Sequence, residues 1–271
     1  MSQSKQPEKT TLTLPQSNKP VDLVFPVYLH NKATLDQIHK FPPFVSWLQT
    51  LDSSLVKEST DGSQIVVDKI TLQSIDKFKS GKIGFIKLNA SAYRLPEKTT
   101  LPGIVFLRGN SVAVLLILRT AATGNPTKPS FGDSDFAVLC EQPRLATGQL
   151  NMLELPAGML DGDNGGGFQG TAAREIQEET GITIGAEDLV ELTTGVYPSP
   201  GACDELIGLY ACEKTMSAGE IEGIRGRLAG LRNDGEFISL RLVPLNQLAR
   251  ETRDMKTLAA LHLWDLRNQK D

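Results

Sequence analysis

Short apolar segments separated by turn residues make up most of the chain, and this pattern is typical of β-strands. The continuous apolar run at residues 111–118 (SVAVLLIL) predicts a strand that is buried on both faces. The other predicted strands lie at residues 21–29, 65–72, 82–93, 102–108, 136–142, 190–196, 205–211 and 237–243. Because helical segments are interleaved with these strands, the pattern predicts an α/β fold.

Three segments carry helical patterns. Residues 35–51 predict two short helices, interrupted at Pro42-Pro43 because proline cannot continue a helix. A second helical segment ends at Gly181, which suits a left-handed C-cap. The last helix begins at residues 244–248, and an apolar stripe predicts its core-facing side: Met255, Leu258, Leu261 and Trp264.

The order of these elements predicts two domains after a tail. Residues 1–20 are polar and contain proline and serine, so we expect a flexible tail there. Residues 21–108 predict an antiparallel β domain, and residues 109–271 the second domain. Since the few strands of the first domain bury little by themselves, we expect it to pack against the rest of the chain or a second copy.

The most informative stretch, residues 155–182, places three carboxylates on one helix face. Glu175, Glu178 and Glu179 are related as i, i+3 and i+4, a spacing at which like charges repel. A charge run of this kind is often only the solvated face of a helix. Here, however, a Leu-Pro-Ala-Gly segment and a loop precede the helix, which favours a site for a hard divalent cation with oxygen ligands.

These residues resemble the box of the Nudix hydrolases, which reads G, five residues, E, seven residues and REUxEExGU, with U aliphatic. Residues 174–182 (REIQEETGI) match every fixed position of its second half, and Gly158, Arg174 and Gly181 fall on box positions. Fifteen residues, rather than thirteen, separate Gly158 from Arg174, and Gly166 replaces the first Glu. That Glu usually pairs with the box Arg, a role that Asp161 or Asp163 could take.

The resemblance implies a Nudix α/β/α sandwich with an N-terminal antiparallel β domain that mediates dimerisation. It also implies Mg²⁺, with Mn²⁺ as an alternative, held by Glu175, Glu179 and the Ala157 carbonyl. Glu178 either shares a metal or orients a ligand, and we expect a catalytic role for it. Glu236 is a further metal ligand or the general base, for which the alternatives are Glu220, Glu222 and Asp234.

Three further segments resemble the plant-type ADP-sugar pyrophosphatases within this family: residues 141–144 (EQPR), 196–205 (VYPSPGACDE) and 235–244 (GEFISLRLVP). They imply substrate contacts from Gln142, Arg144 and Pro200. Arginine suits such a role because its planar fork meets phosphate oxygens bidentately, although a surface arginine at a strand end is equally compatible with the pattern.

The expected reaction is Mg²⁺-dependent hydrolysis of ADP-sugars, such as ADP-glucose and ADP-ribose, to AMP and a sugar phosphate by a homodimer. Two alternatives remain open. The substrate could be UDP-glucose or another nucleotide diphosphate, or the chain could be a Nudix-fold nucleotide-binding module without turnover.

Composition limits the partners and the compartment. A net charge of −4 argues against a nucleic-acid surface, and no apolar stretch approaches the length of a membrane span. The three cysteines lack a CxxC spacing, which indicates free thiols in a reducing compartment, and the three histidines are scattered. Without an apolar signal core near the start, we expect a cytoplasmic protein, or a plastid protein if a transit peptide has been removed.

Overall fold

The computed structural model describes residues 8–26, 32–57, 61–121, 135–160, 167–230 and 237–269. These fall into two units. The front unit comprises Met1–Gly109 together with the loop Ser199–Glu205, and the sandwich unit comprises Asn110–Pro198 and Leu206–Asp271. The division after Gly109 lies one residue from the predicted boundary, whereas the loop Ser199–Glu205 was predicted to belong to the second domain.

A six-stranded sheet forms the front unit, in the order β1-β2-β3-β4-β5 with β6 also paired to β4. All of its pairings are antiparallel except that of β2 with β3. The strands are β1 (Glu8–Thr13), β2 (Pro20–Phe25), β3 (Gln64–Lys77), β4 (Ile83–Leu95), β5 (Thr99–Leu101) and β6 (Ile104–Leu107).

Two helices, α1 (Lys32–Lys40) and α2 (Pro42–Val56), complete the front unit. Proline at the first positions of α2 explains the break, because its missing N–H is not needed in a first turn. Ile38 and Phe44 are fully buried in one cluster with sheet residues such as Leu23 and Ile70. The expectation that the front segment has little core of its own is therefore wrong.

The prediction of a flexible tail over residues 1–20 is wrong for the residues from Glu8 onward. Strand β1 pairs with β2 over its whole length. The buried carboxylate of Asp52 then accepts hydrogen bonds from the backbone N–H groups of Gln16 (2.7 Å) and Ser17 (2.9 Å). This long-range anchor is invisible in local composition. Residues 1–7 lie outside the described part of the chain.

The sandwich unit contains an eight-stranded sheet in the order β11-β12-β7-β8-β14-β13, with β10 also paired to β7 and β9 to β8. Its strands are β7 (Ser111–Thr120), β8 (Asp135–Arg144), β9 (Gln149–Glu154), β10 (Ala157–Met159), β11 (Val190–Val196), β12 (Ile207–Met216), β13 (Leu228–Ala229) and β14 (Ile238–Pro244). Its helices are α3 (Gly167–Thr180), α4 (Ala218–Glu222), α5 (Leu248–Glu251) and α6 (Met255–Asn268).

Helices cover both faces of this sheet, as the alternation along β7 shows. Residues at even positions of β7, such as Val114 and Leu116, share a core cluster with Ile176 of α3. Residues at odd positions share the other cluster with Trp264 of α6. The predicted α/β/α sandwich is therefore confirmed, and β7 is the central buried strand that its apolar run predicted.

The sheet splits between β7 and β8. The two strands pair directly only at residues 117–119 and 135–137. Beyond that point β10 pairs with the start of β7, and β9 pairs with the end of β8. The segment that joins β9 to β10 therefore crosses the opening, and it contains the Leu-Pro-Ala-Gly residues that precede the acidic helix.

The buried side of α6 differs from the predicted apolar stripe. Met255 and Leu258 are 42% and 38% exposed, whereas Lys256, Thr257, Ala260 and Trp264 are buried. The prediction erred because it counted only apolar residues, while a lysine occupies part of the inner face. No helix within the described ranges is long and apolar enough to cross a membrane.

Candidate active site

The acidic helix α3 ends as its sequence predicted. Gly181 follows it with φ of +64°, and its N–H donates to the Gln177 carbonyl at 2.9 Å. The Arg227 guanidinium also donates to the Thr180 carbonyl, which satisfies one of the unpaired carbonyls at the helix end. This cap fixes where the helix stops and thus which residues face the sheet.

Glu179 is buried between α3 and the sheet, with only 5% of its surface exposed. Its Oε2 accepts the backbone N–H of Ala157 at 2.9 Å and faces the Cys140 thiol at 3.7 Å. Burial and the Glu179 charge raise the pKa of Cys140 well above its ordinary value, so the thiol stays a neutral donor. The two contacts together fix the orientation of this carboxylate.

Gly158 is required by the position of Glu175. A Cβ at residue 158 would lie 1.9 Å from the Glu175 Cδ and 2.3 Å from each carboxylate oxygen. Only glycine therefore lets this carboxylate lie against the backbone of β10. Glu175 and Glu179 thus meet two consecutive residues, Ala157 and Gly158, of one short strand.

Arg174 offsets part of the repulsion on the acidic face. Its Nη2 lies 3.3 Å from Glu175 Oε1 and its Nη1 lies 3.6 Å from Glu178 Oε1. These pairs lie within α3 itself. The residues predicted to brace Arg174 in place of the missing box Glu, Asp161 and Asp163, lie with Gly166 outside the described part of the chain.

Carboxylates and a backbone carbonyl suit a hard divalent cation, and the Gly158 cradle keeps Glu175 beside Ala157. Within residues 135–160, 167–230 and the other described ranges, no three acidic, histidine or cysteine side chains converge closely enough to hold a metal ion. The predicted ligand or base Glu236 lies outside these ranges, as does Asp234. Glu175 and Glu179 supply oxygen donors of the type that Mg²⁺ prefers, beside Gly158 and Ala157 of β10, and the metal site itself stays a prediction.

The two described alternatives for the base have structural partners instead. Glu220 forms a capping box with Ser217 at the start of α4, with a Ser217 N–H to Glu220 Oε2 distance of 2.8 Å. Glu222 accepts from Arg225 Nε at 3.0 Å. Both contacts are exposed and stabilise the local turn.

Arg144, at the end of β8, is held by a buried acid that the sequence analysis missed. Its Nε donates to Glu154 Oε1 at 2.6 Å, and 43% of its side chain is exposed. Burial alone would lower the pKa of Arg144, but the hydrogen bond and charge of Glu154 outweigh it and raise that pKa. Arg144 is thus an arginine at a strand end that is held in place by a buried acid, and its contact with substrate stays a prediction.

The same buried acid connects to helix α6. Glu154 Oε2 accepts from Lys256 Nζ at 2.6 Å, and Lys256 also contacts Asp254 Oδ1 at 3.0 Å. Burial raises the pKa of Glu154. The hydrogen bonds and charges of Arg144 and Lys256 outweigh this effect and lower that pKa below its ordinary value, so the carboxylate is ionised. The only sequence signal for Glu154 was its position directly before Leu-Pro-Ala-Gly.

Strand β8 links the acid Glu179 to Arg144, the predicted phosphate-binding residue, within the sandwich unit. Cys140, which contacts Glu179, is paired in register with Glu154, which holds Arg144. Gln142 lies half-buried on the same strand, opposite Met152, before a register shift that precedes Arg144.

Pro200 belongs to the front unit and is exposed. Its loop, Ser199–Glu205, is hydrogen-bonded to β6 and the residues after it. The Phe106 N–H donates to the Ala202 carbonyl at 2.7 Å, and Asp204 Oδ1 accepts the Arg108 N–H at 2.8 Å. The predicted substrate-binding residues are thus divided between the two units.

An α/β/α sandwich that sets a glutamate-rich helix against a glycine-bearing strand is the arrangement expected for a Nudix domain, and residues 104–262 match the NUDIX domain family. The chain belongs to the Nudix hydrolase family. Hydrolases of this family act on compounds that contain a nucleoside diphosphate and generally use divalent metal ions.

The chain is also similar to individual proteins. Nudix hydrolase 14, chloroplastic, from Arabidopsis thaliana is 38% identical over 278 residues, which cover 98% of this chain and 84% of that protein. A solved structure titled "Crystal structure of ADP compounds hydrolase" superposes with a TM-score of 0.46 at 14% identity, covering 75% of this chain and 97% of that one.

Proposed function

We propose that the protein hydrolyses the diphosphate bond of ADP-sugars, ADP-glucose and ADP-ribose among them, to AMP and a sugar phosphate. One observation carries this proposal. Arg144 lies on β8, in a segment that resembles ADP-sugar hydrolases, and it is held by Glu154 of β9. Cys140, on the same strand β8, contacts the acid Glu179. We infer that the terminal nitrogens of Arg144 and the Glu179 carboxylate act on the same diphosphate.

In the proposed site, Glu175, Glu178, Glu179 and the Ala157 carbonyl would hold Mg²⁺, with Mn²⁺ as the alternative. Mg²⁺ would neutralise charge on the diphosphate and lower the pKa of water. The N–H of Ala157 holds Glu179 in one orientation, so this carboxylate needs no reorganisation when substrate binds.

Arg144 would bind phosphate oxygens through its terminal nitrogens, because its Nε is already donated to Glu154. Glu178 and Glu236 are the proposed catalytic residues: Glu178 would share the metal or orient one of its ligands, and Glu236 would be a further ligand or take the proton of the attacking water. Gln142 is the further proposed substrate contact in the sandwich unit, and the contact from Pro200 stays a prediction.

A panel of nucleotide sugars tests the proposed substrate. ADP-glucose, ADP-ribose, UDP-glucose and a dinucleotide would be incubated with the protein in Mg²⁺, in Mn²⁺ and in EDTA, and released AMP or UMP measured. We expect the highest kcat/KM for an ADP-sugar and no turnover in EDTA. A preference for UDP-glucose would favour the second candidate substrate. Binding without turnover in either metal would identify a nucleotide-binding module, which the intact acidic face argues against.

Replacing Arg144 tests its contact with the diphosphate. We expect Arg144→Ala to raise KM for the preferred substrate by about 10- to 100-fold with a smaller effect on kcat, because the contact exists in both ground and transition states. Arg144→Lys keeps a charge beside Glu154 but loses the fork, so it should restore thermal stability without restoring KM. An unchanged KM in both variants would remove Arg144 from the site.

We also propose that the protein is a homodimer joined through the front unit. Support comes from a partly exposed row of aromatic side chains on β4, on β6 and just after the end of β3. Phe85 stacks on Phe106 at 5.5 Å between ring centroids and meets Phe78 edge-on at 5.8 Å. Phe78 and Phe106 are 48% and 36% exposed, and neighbouring Ile104 is 45% exposed. An apolar patch of this kind is typical of an interface between chains.

Light scattering tests the dimer. We expect a mass of about twice the 29.5 kDa chain, and a monomer for Phe78→Lys, because a buried unpaired lysine would be costly in the interface. Val56→Lys is the matched control, since Val56 is also exposed, at 53%, in the same unit but lies at the end of α2. A monomeric wild type, or a Phe78→Lys variant that remains dimeric, would contradict the proposed interface.

For the compartment, we infer that the plastid alternative has more support than the cytoplasm, because the similar Arabidopsis protein is named chloroplastic. Imaging of a fluorescent fusion of the full-length gene product would decide between the two.

A further inference from the structure

Four charged side chains form a network in the sandwich unit, and all except the first are buried: Arg144, Glu154, Asp254 and Lys256. Two are anionic and two are cationic, so the network is neutral as a whole. The side chains of Glu154, Asp254 and Lys256 are 7%, 9% and 10% exposed, whereas that of Arg144 is 43% exposed. Of these four groups, Arg144 is therefore the one able to meet a ligand.

The contacts run in sequence from helix α6 to Arg144. Thr257 Oγ1 donates to Asp254 Oδ2 at 2.6 Å, and Asp254 Oδ1 accepts from Lys256 Nζ at 3.0 Å. Lys256 also donates to Glu154 Oε2 at 2.6 Å. The remaining oxygen of Glu154, Oε1, accepts from Arg144 Nε. Each oxygen of Glu154 thus has its own cation.

We propose that Lys256 is a positioning residue for substrate binding: by occupying one oxygen of Glu154, it limits that carboxylate to the Nε of Arg144. The proposal rests on the proposed function, in which Arg144 binds the diphosphate. A guanidinium held at Nε presents both terminal nitrogens along its outer edge, and this edge matches two phosphate oxygens.

Without Lys256, the second oxygen of Glu154 has no cation within this network. A carboxylate binds a guanidinium most strongly through two parallel hydrogen bonds, one from Nε and one from a terminal nitrogen. Glu154 would then turn and take a terminal N–H of Arg144, which would remove that donor from the substrate. Arg144 would stay folded in place but would bind phosphate less well.

A double-mutant cycle between Lys256→Met and Arg144→Ala tests this mechanism. We expect Lys256→Met to raise KM for the preferred nucleotide sugar by about 10-fold, as orienting partners of a binding group typically do, with a smaller change in kcat. In the Arg144→Ala background, Lys256→Met should have no further effect on KM. The Kd of ADP, titrated calorimetrically without metal, should follow the same pattern.

Two variants separate positioning from folding. Asp254→Asn combined with Lys256→Met removes one charge of each sign and leaves Glu154 and Arg144 as an ion pair, so it should keep the wild-type fold while still raising KM. Arg253→Met removes an exposed positive charge next to the network and should leave KM and the Kd of ADP unchanged. A wild-type KM in the charge-balanced double variant would overturn the proposal.

The double-mutant cycle also distinguishes a failure of this proposal from a failure of the proposed function on which it rests. If Arg144→Ala changes neither KM nor the Kd of ADP, the role of Arg144 in the proposed function is wrong. If Arg144→Ala weakens binding but Lys256→Met has the same effect in both backgrounds, the proposed function stands and the positioning role of Lys256 is overturned.

Discussion

Glu179→Gln is expected to lower kcat by more than about 10²-fold, beyond the 10- to 100-fold loss typical of residues that only orient a ligand. Glutamine keeps an oxygen that can accept the Ala157 N–H, so the helix should stay in place. What it loses is the charge that would hold the metal ion. Because Glu175 repels Glu179 at the i, i+4 spacing, removing one charge should cost little stability.

The measurement is kcat in saturating Mg²⁺ together with Tm for the same preparation. Glu251→Gln is the control, because Glu251 is an exposed glutamate in the same unit, on α5. It should change neither quantity. Turnover near the wild-type rate in Glu179→Gln would show that this carboxylate is not part of the metal site.

Gly158→Ala is expected to lower kcat/KM by about 10²-fold, the effect of displacing a reacting group by roughly 1 Å. The new Cβ would lie 1.9 Å from the Glu175 Cδ, so the carboxylate must leave its position. Strand β10 is paired with β7 at this residue, which prevents the backbone from giving way instead. Because the displaced atoms are the end of a flexible side chain, the substitution should cost little stability.

Gly170→Ala provides the matched control on α3. A Cβ there meets no atom within 4 Å, and alanine favours a helix over glycine by about 1 kcal/mol. This variant should therefore be more stable than the wild type and equally active. If Gly158→Ala were as active as Gly170→Ala, Glu175 would not need its observed position.

Local signals predicted a large part of the architecture. The strand at residues 190–196 has the predicted bounds because turn residues flank it, and α3 ends where Gly181 provides a left-handed cap. The central strand β7 followed from an apolar run that suits burial on both faces. Each of these signals lies within a few residues of the element that it specifies.

Contacts between distant residues were not predictable in this way. Lys256 and Glu154 are separated by 102 positions, and neither has a local feature that identifies its partner. An apolar stripe predicted the inner face of α6, but the ion network determines which side Lys256 occupies. For the same reason the sequence did not predict the role of Asp52, which accepts a hydrogen bond from the N–H of Ser17, 35 positions earlier.

The attachment of the loop Ser199–Glu205 to the front unit has a consequence for exchanging parts between related enzymes. Asp204 binds the N–H groups of Arg108 and Gly109, so the loop shares hydrogen bonds with residues 95 and 96 positions earlier. A chimera that takes residues 1–109 from a relative but keeps its own loop would join two surfaces that were never selected together. The front unit is therefore discontinuous in sequence, and a functional exchange must transfer the loop with the first 109 residues.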